Sequence, residues 1–455
     1  MIYIQPILDP TFEPFIAFLE LFESEVKQSQ NPIPFSLAIL NHQHCVSRTD
    51  GFLFANQGER NFIYIERLIK TALWLKGGVK VLFAGPEDLA KKLTDYYQNH
   101  PLGQFDHAFM EKLFERDFEF QFVPMSQIPT EMRQQIKIGG HLDGARIGFD
   151  AGGSDRKVAA LLDGQVLYSE EVIWHPKLQS DPEYHIQHIK EAFQTAASHL
   201  PRVDAIGVSA AGVYIDNQVM AASLFIKVEE PLFQTKVKPL FLNLAKAMGD
   251  VPIVVANDGD VSALAGAMEC KRNNLLGLAF GTSEAAGYID PDGYITGWLN
   301  ELAFVPVAIN RDAPVDEWSQ DRGCGSSYFS QDAVIRLAPL AGIEFESTLS
   351  PAQKLKVVQS YLEKGHPGAI QIYQTIGVYL AYGLLLYRRF YHMDIVMLLG
   401  RVVSGQGGDI VIQTAKDTLA QIDPLFYQSL TIYLPNEEKR RVGQAIAAAS
   451  LPTRK

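Results

Sequence analysis

Asn257 and Asp258 stand where two unlike segments meet in residues 251–269, VPIVVANDGDVSALAGAME. Residues 252–256 form a run of β-branched apolar side chains expected as a buried strand, and 261–269 a helix of small residues. A carboxylate at such a junction faces a cleft in α/β architectures, where Asp258 could take a proton from a substrate hydroxyl while Asn257 orients that substrate. Either residue could instead cap the helix. Two further stretches suit anions. In residues 147–166, an apolar run ends at Asp150, breaks at Gly152-Gly153-Ser154, resumes, and turns again at Asp163-Gly164. Adjacent glycines leave backbone N–H groups free to converge on a phosphate, and Asp150 at the strand end could hold a divalent cation. An ordinary hairpin would read the same way, but the pattern recurs. Residues 275–296 run as a strand, a Gly281-Thr282-Ser283 turn, a second strand, and an Asp292-Gly293 turn into a third. Two such hairpins suggest a duplicated lobe, each offering an N–H-lined loop to a polyphosphate in the cleft between them. With both turns present, the catalytic reading of Asp258 overtakes the cap.

Positioning these groups needs a larger frame. In residues 1–142, helical spacing covers 15–26 and 64–75, Gly77-Gly78 ends the second helix, 79–84 reads as a buried strand, and Pro86 opens a helix to 97. The aromatic, polar stretch 106–122 is expected as a lid or interface. A buried strand over 203–208 ends in Ser209-Ala210-Ala211-Gly212, a small-residue turn that lets a ligand approach the backbone. An amphipathic helix is expected over 236–248, a long apolar helix over 370–390, a strand over 395–399 and a terminal helix over 437–449. His185 and His188 share a helix face without a third ligand nearby, which reads as a solvated face rather than a metal site.

Composition narrows the classes. A chain of 455 residues exceeds one ordinary core and is expected to fold as two or three domains. Its 47% hydrophobic and 20% charged residues are those of a soluble globular protein. Cys45, Cys270 and Cys324 are too few and too scattered for a disulfide framework, which points to a reducing compartment. The amino terminus lacks a basic region followed by an apolar core, and the longest apolar run falls short of the ~20 residues of a membrane span. A net charge of −12 argues against a general nucleic-acid binder, although magnesium and local N–H groups can still hold a nucleotide.

In order and spacing, these motifs resemble the ROK family of sugar kinases and repressors, in the larger sugar kinase, Hsp70 and actin superfamily, over residues 146–455. Asp150-Ala151-Gly152-Gly153-Ser154 is similar to the family's first phosphate loop, Asn257-Asp258 to its catalytic pair, and Gly281-Thr282-Ser283 to its second phosphate loop. Glu301-Leu302-Ala303-Phe304 resembles its sugar-binding Glu-x-Gly-His motif. Leu399-Gly400-Arg401, with Ser404, Gly405 and on to Gly408, resembles its adenosine-contacting turn. The resemblance implies an α/β, two-lobed actin-like (ribonuclease H-like) ATPase fold. It also implies a cytoplasmic kinase that uses ATP and Mg2+ to phosphorylate a hydroxyl of a sugar or sugar-like substrate. Asp258 would be the general base, Asn257, Glu301, Gly212 and Ser223 would bind substrate, and the two loops with Gly400 and Gly405 would bind ATP. Asp150 would position the metal.

The departures carry as much weight. Phe304 stands where zinc-containing members have the His, and residues 322–329 keep only Cys324 of a three-cysteine motif. One soft ligand makes no tetrahedral site, so structural zinc is not expected, and Cys324 is a buried small hydrophobe. Glu284 replaces a usual glycine beside the second loop, so it points away, holds magnesium, or marks a site that no longer transfers phosphate. Residues 221–224 lack the Asn of glucokinase-like members, which weakens an assignment to glucose. A second class of function is thus a sugar or nucleotide sensor of ROK type that has lost turnover. A DNA-binding repressor would need a winged helix at the amino terminus, and none is evident. The expected units are an additional α/β domain of unknown role at 1–142, a first lobe at 143–255 to which helix 436–455 returns, and a second lobe at 256–435. The expected partners are a small sugar and ATP, without nucleic acid or membrane, and a homodimer is compatible with the sequence.

Overall fold

The computed structural model describes residues 2–41, 43, 45–132, 137–435 and 437–454, except for the side chains of 437–442. Residues 1, 42, 44 and 133–136 of the amino-terminal unit, and residues 436 and 455 of the carboxy-terminal segment, lie outside the described residues. The amino-terminal unit is built on a four-stranded sheet in the order Val46–Leu53, Ile33–Leu40, Lys80–Ala84, Glu119–Phe122. Helix Phe15–Gln28 buries Phe15, Ile16, Leu19, Phe22 and Val26, a one-sided stripe at helical spacing. Helix Gly58–Lys76 starts six residues earlier than its apolar stripe suggests, because polar residues of its first turns continue the helix on the solvent side. The stretch expected as a lid or interface is helix Pro101–Phe114 followed by the edge strand Glu119–Phe122, and its Phe109 packs against Phe304 of the second lobe.

The first lobe carries a five-stranded sheet in the order Ile253–Asn257, Ala205–Ala210, Ala145–Ala151, Asp155–Leu162, Gln165–Ile173. The first three strands are parallel and the last two run antiparallel, which is the ribonuclease H-like order. The second lobe repeats part of it as Glu284–Ile289, Leu275–Phe280, Ile395–Leu399, Thr431–Tyr433. The third strand expected after Asp292-Gly293 is reduced to a single bridge between Ile289 and Ile295. Asp290 Oδ1 accepts from the N–H groups of Asp292 and Tyr294, closing the turn. Beyond it the chain leaves the sheet for the amino-terminal unit, where Asn300 N–H donates to Leu75 O at 2.9 Å. The helix expected over 236–248 is Leu240–Ala247, since Pro239 interrupts it behind a π-turn at Phe233–Val237.

Residues 1–142 have their own sheet but share their core. One apolar cluster runs from Phe12, Phe22 and Trp74 into Tyr328, Phe329 and Tyr379 of the second lobe, while Ile147, Phe149, Phe193 and Phe241 form a distinct core in the first lobe. Ahead of the first helix the chain lies across helix Pro367–Tyr387: Ile4 N–H donates to Tyr382 Oη at 2.8 Å, and Phe12 packs against Tyr328, Tyr379 and Tyr382. Helix Pro367–Tyr387 is, among the described residues, the one helix long and apolar enough to cross a membrane; 83% of its most apolar window is buried inside the protein.

Helix Glu437–Ala449 returns to the first lobe and lies on its sheet at van der Waals limits. A Cβ on Gly148 would fall 1.8 Å from Ala445 O, and one on Gly207 would fall 1.6 Å from Ala448 O. Both glycines sit in the parallel pair Ala145–Ala151 and Ala205–Ala210, facing each other in register. The flat patch lets helix backbone rest on strand backbone, with Ala159, Leu161, Ala445 and Ala449 packed around it. Gly207→Ala must push the terminal helix off the sheet, so overpacking should cost at least ~2 kcal/mol of stability. Equilibrium urea unfolding measures it; a variant within ~0.5 kcal/mol of the parent would show that the helix is not seated this way.

Candidate active site

Strand Ile253–Asn257 ends as helix Asp258–Cys270 begins, and the capping role falls to one residue of the pair. Asn257 Oδ1 accepts from Gly259 N–H at 2.7 Å, and Asn257 Nδ2 donates to Gly212 O at 2.8 Å. Asn257 therefore ties the helix start to the Gly212 turn. Asp258 also takes a bond from Gly259 N–H, at 3.0 Å, through Oδ1 alone. It lies deep among protein atoms yet keeps an edge toward solvent. Burial, and next the nearby Asp150 carboxylate, push Asp258 up to about 6, against the opposing pull of the Gly259 N–H and the Lys177 charge.

Asp150 is the last residue but one of strand Ala145–Ala151, parallel to the strand that carries Ser209. Ser209 Oγ donates to Asp150 Oδ1 at 2.7 Å, and Lys157 Nζ lies 3.6 Å from Oδ2. Burial still raises the Asp150 carboxyl above its ordinary value. Gln444 of the terminal helix donates to Ser209 Oγ at 3.2 Å and reaches Asp258 O at 3.5 Å, so the returning helix braces both acids. The Gly152-Gly153-Ser154 turn follows directly. Trp174 Nε1 donates to Gly152 O at 2.8 Å, Trp174 N–H to Ser154 O at 3.1 Å, and Ser154 Oγ to Asp155 Oδ2 at 3.0 Å. Lys177 packs near Gly153 and acts on Asp258, which places an exposed cation between the first turn and the candidate base.

Three more carboxyls lie on the second-lobe side. Burial and then the Asp258 charge push Glu301 up to about 7. Burial pushes Asp260 up to about 7 as well, although its Oδ1 accepts from Tyr288 N–H at 3.2 Å and from Asn300 Nδ2 at 2.9 Å. Glu284 points away from the second turn into the lobe. Its Oε1 accepts from Tyr387 Oη at 3.2 Å, its Oε2 rests on Gly325 without a hydrogen-bond partner, and burial pushes it up to about 8. Of the three roles open to Glu284 from sequence, the inward orientation is the one observed.

The second turn and the proposed adenosine turn are adjacent: Gly281 N–H donates to Ser283 O at 3.1 Å, and Val402 N–H donates to Phe280 O at 3.1 Å beside Gly400. Gly400 and Gly405 share a hollow of about 240 Å3 with Asp409 and Leu434. Thr282 and Ser283 open instead on a separate hollow of about 330 Å3 with Asp316, Ser326, Asp332 and Arg336. Among the described residues, no hydrogen bond joins Gly152, Gly153 or Ser154 to Gly281, Thr282 or Ser283. Ser223 opens a short turn, is exposed, and is likewise not hydrogen-bonded to Asn257 or Asp258. A cavity of about 380 Å3 lies beside Asn257, lined by Gly212, Tyr214, Asp260 and Trp298 of the lobes and by Lys76 and Phe114 of the amino-terminal unit.

Sequence reasoning passed over Asp260, Lys157, Lys177 and Gln444, and took Ser209 only as part of a small-residue turn. Asp260 was visible two positions after Asp258, but the others come from strands and a helix that only the fold brings together. His185, expected on a solvated face, is buried with Nε2 at 3.1 Å from the carbonyls of both Pro176 and Leu224. Among the described residues, no group of three His, Cys, Asp or Glu side chains is disposed to hold a metal. Cys324 is buried, and burial pushes its thiol up to about 12, as for an inert small hydrophobe.

Two lobes on related sheets define an actin-like ATPase fold. ROK hexokinase from Thermus thermophilus shares it at 18% identity and a TM-score of 0.50, over 67% of this chain and 97% of that one. A ROK family transcriptional regulator, a homolog of the E. coli MLC protein, shares it at 20% identity and a TM-score of 0.52, over 68% of this chain and 79% of that one. The fold is thus that of ROK family proteins, in which one architecture serves a hexokinase and a regulator. No protein-family model matches the chain, and no curated protein matches it by sequence.

Glu284 gives a test of the buried acids that needs no substrate. Its raised value means that the folded protein holds a proton the unfolded chain has lost, so its contribution to stability is complete below about 4.5 and disappears as pH rises through about 8. Glu284→Gln has no proton to lose. Unfolding free energy of the variant should fall less steeply between those pH values than that of the parent, with a higher melting temperature above pH 8. Parallel pH profiles for the two proteins would mean that Glu284 is not buried as described.

Proposed function

We propose that the chain is a kinase that transfers the terminal phosphoryl group of ATP to a hydroxyl of a sugar or sugar-like polyol. The observation that carries this reading is Asp258: Asn257 performs the helix-capping role, which leaves a carboxylate at the strand end whose proton affinity sits just below neutral pH. Asp258 takes the proton of the acceptor hydroxyl as that oxygen forms its bond to the γ-phosphorus. The bond from phosphorus to the β-phosphate oxygen breaks, and its electron pair leaves on ADP. Glu301, with a value near neutral, accepts or donates a hydrogen bond to a neighbouring hydroxyl and fixes which oxygen faces Asp258. The second hydrogen of Asn257 Nδ2 and the half-buried Gly212 turn give the acceptor further polar contacts.

Phosphates would lie on the N–H groups of the Gly152-Gly153-Ser154 and Gly281-Thr282-Ser283 turns, with Lys177 beside the first and the adenosine in the hollow of Gly400 and Gly405. Asp150 would hold Mg2+, a hard cation that takes one or two carboxylates together with phosphates and that neutralises phosphate charge when bound. Lys157, 3.6 Å from Asp150, balances that carboxylate within the protein itself. Glu284 does not oppose a phosphate at the second turn, because it is turned inward and holds its proton at neutral pH.

One observation favours the second reading, a sensor of ROK type without turnover: Thr282 and Ser283 open on a hollow where Asp316, Glu317 and Asp332 outnumber the cation Arg336, which is unwelcoming to a triphosphate. A panel of sugars and polyols assayed for ADP release, with calorimetric titration of ATP and magnesium, separates the two. Turnover supports the kinase, and binding without turnover supports the sensor.

With an accepted substrate, Asp258→Asn should lower kcat by roughly 10²- to 10⁴-fold, with ATP affinity and folding nearly unchanged. In the parent, kcat/KM should rise with pH through about 6 as Asp258 loses its proton. A variant that turns over normally but melts earlier would make Asp258 a structural residue and end its assignment as base.

A further inference from the structure

Helix Gly58–Lys76 of the amino-terminal unit ends against the segment that carries Glu301. The last carbonyls of a helix have no partner within it. Here Gly77, with φ of +75°, closes the helix by donating to Leu73 O at 2.8 Å, and the next two carbonyls point outward. Trp74 O accepts from Glu301 N–H at 3.0 Å and Leu75 O accepts from Asn300 N–H at 2.9 Å. Asn300 adopts φ of +53°, and its side chain bridges Tyr391 Oη and Asp260, so the backbone at this point is held from both sides.

The helix end is itself fixed. The Trp74 ring lies 4.1 Å from that of Phe304 and 4.8 Å from that of Phe109, and Trp74 Nε1 donates to Asp106 Oδ1 at 2.8 Å. One turn back, Lys70 Nζ bridges Asp106 at 3.0 Å and Asp321 at 3.2 Å. Arg67 grips Asp321 with both terminal nitrogens, at 2.5 and 3.0 Å. Burial alone would raise the Asp321 carboxyl, but Arg67 and Lys70 hold it well below its ordinary value. Asp321 belongs to the second lobe, on the loop that leads to Gly325. A buried ion cluster of this kind gives little net stability, but it fixes one register, because shifting the helix by a turn would strand charges in the core.

We propose that helix Gly58–Lys76 is the positioning element for Glu301, with Trp74 and Phe304 as the positioning residues through which residues 1–142 set the geometry of acceptor binding. The same unit walls the neighbouring cavity with Lys76 and Phe114, so the unit that holds Glu301 also limits what fits beside Asn257. The inference rests on the reading of Glu301 as a substrate-binding carboxyl, and its test has one arm that does not.

That arm is amide hydrogen exchange in the full chain. Phe304→Leu keeps an apolar side chain but removes the ring stack, and it should speed exchange at Asn300 and Glu301 by about tenfold while the sheet of residues 145–162 exchanges as in the parent. Phe304→Tyr, which restores a ring, should recover the slow exchange. Trp74→Phe, which keeps a ring and loses the bond to Asp106, provides the same measurement should Phe304→Leu fail to fold. Unchanged exchange at Asn300 and Glu301 in a folded variant overturns the proposal.

The second arm is kinetic. Phe304→Leu should raise KM for the acceptor about tenfold with KM for ATP unchanged, and in a Glu301→Gln background it should add no further effect, since both changes act through one carboxyl. Additive losses would show that Phe304 acts by another route and would overturn the proposal. Should no sugar or polyol support turnover, the proposed kinase activity fails, and the exchange arm still decides whether the helix positions Glu301.

Discussion

Desolvation of carboxyl groups is the constraint around which this molecule is arranged. Asp150, Asp258, Asp260, Glu284 and Glu301 are all shifted toward their protonated forms, and burial is the largest cause for each. Acids in a low-dielectric setting are stabilised by donors or by holding a proton. The structure uses both routes. Ser209, Lys157, Asn300 and backbone N–H groups serve Asp150, Asp258 and Asp260, while Glu284 with an unpartnered oxygen is left to protonation. Such an arrangement is costly for a scaffold and useful for proton transfer, because it places proton affinities near neutral pH where a base can cycle.

Holding these acids in place involves all three parts of the chain. The first lobe contributes Asp150 and Ser209 from neighbouring parallel strands, and the terminal helix approaches closely enough over Gly148 and Gly207 for Gln444 to reach Ser209. The second lobe contributes Glu284 and Glu301. The amino-terminal unit, joined to that lobe through a common core, supplies the carbonyls on which Asn300 and Glu301 hang. Phe304 sits in this contact as an apolar plug between Trp74, Phe105 and Phe109. A residue that reads in the sequence as the loss of a metal ligand is, in the structure, the gain of an intramolecular interface.

The two sheets are unequal versions of one plan. The first has all five strands, and the second lacks the full third strand because residues beyond Asp292-Gly293 turn toward helix Gly58–Lys76. The likeness to a ROK hexokinase and to a ROK regulator covers about two thirds of the chain in each case, which leaves the remaining third, about the length of the amino-terminal unit, outside the shared fold.

Local signals in the sequence were sufficient for the strand-to-helix junction at Asn257-Asp258, the glycine turns at Gly152 and Gly281, and the buried helix near Pro367–Tyr387. Each is encoded by neighbours in the chain: β-branched runs, adjacent small residues, or continuous apolarity. The sequence also presented Asn257 and Asp258 as rivals for one cap. Only the tertiary structure decided between them: Asn257 Oδ1 takes the Gly259 N–H while its Nδ2 is held by Gly212 O, which a parallel strand pairing brings to it. The same holds for Glu284, whose orientation depends on Tyr387 and Gly325, and for residues 1–142. Their own helices were legible, but the buried ion cluster and ring stack that join them to Asp321 and Phe304 link residues more than 200 positions apart. Periodicity and spacing record what each segment buries, whereas the partner it is buried against is settled only when the segments pack.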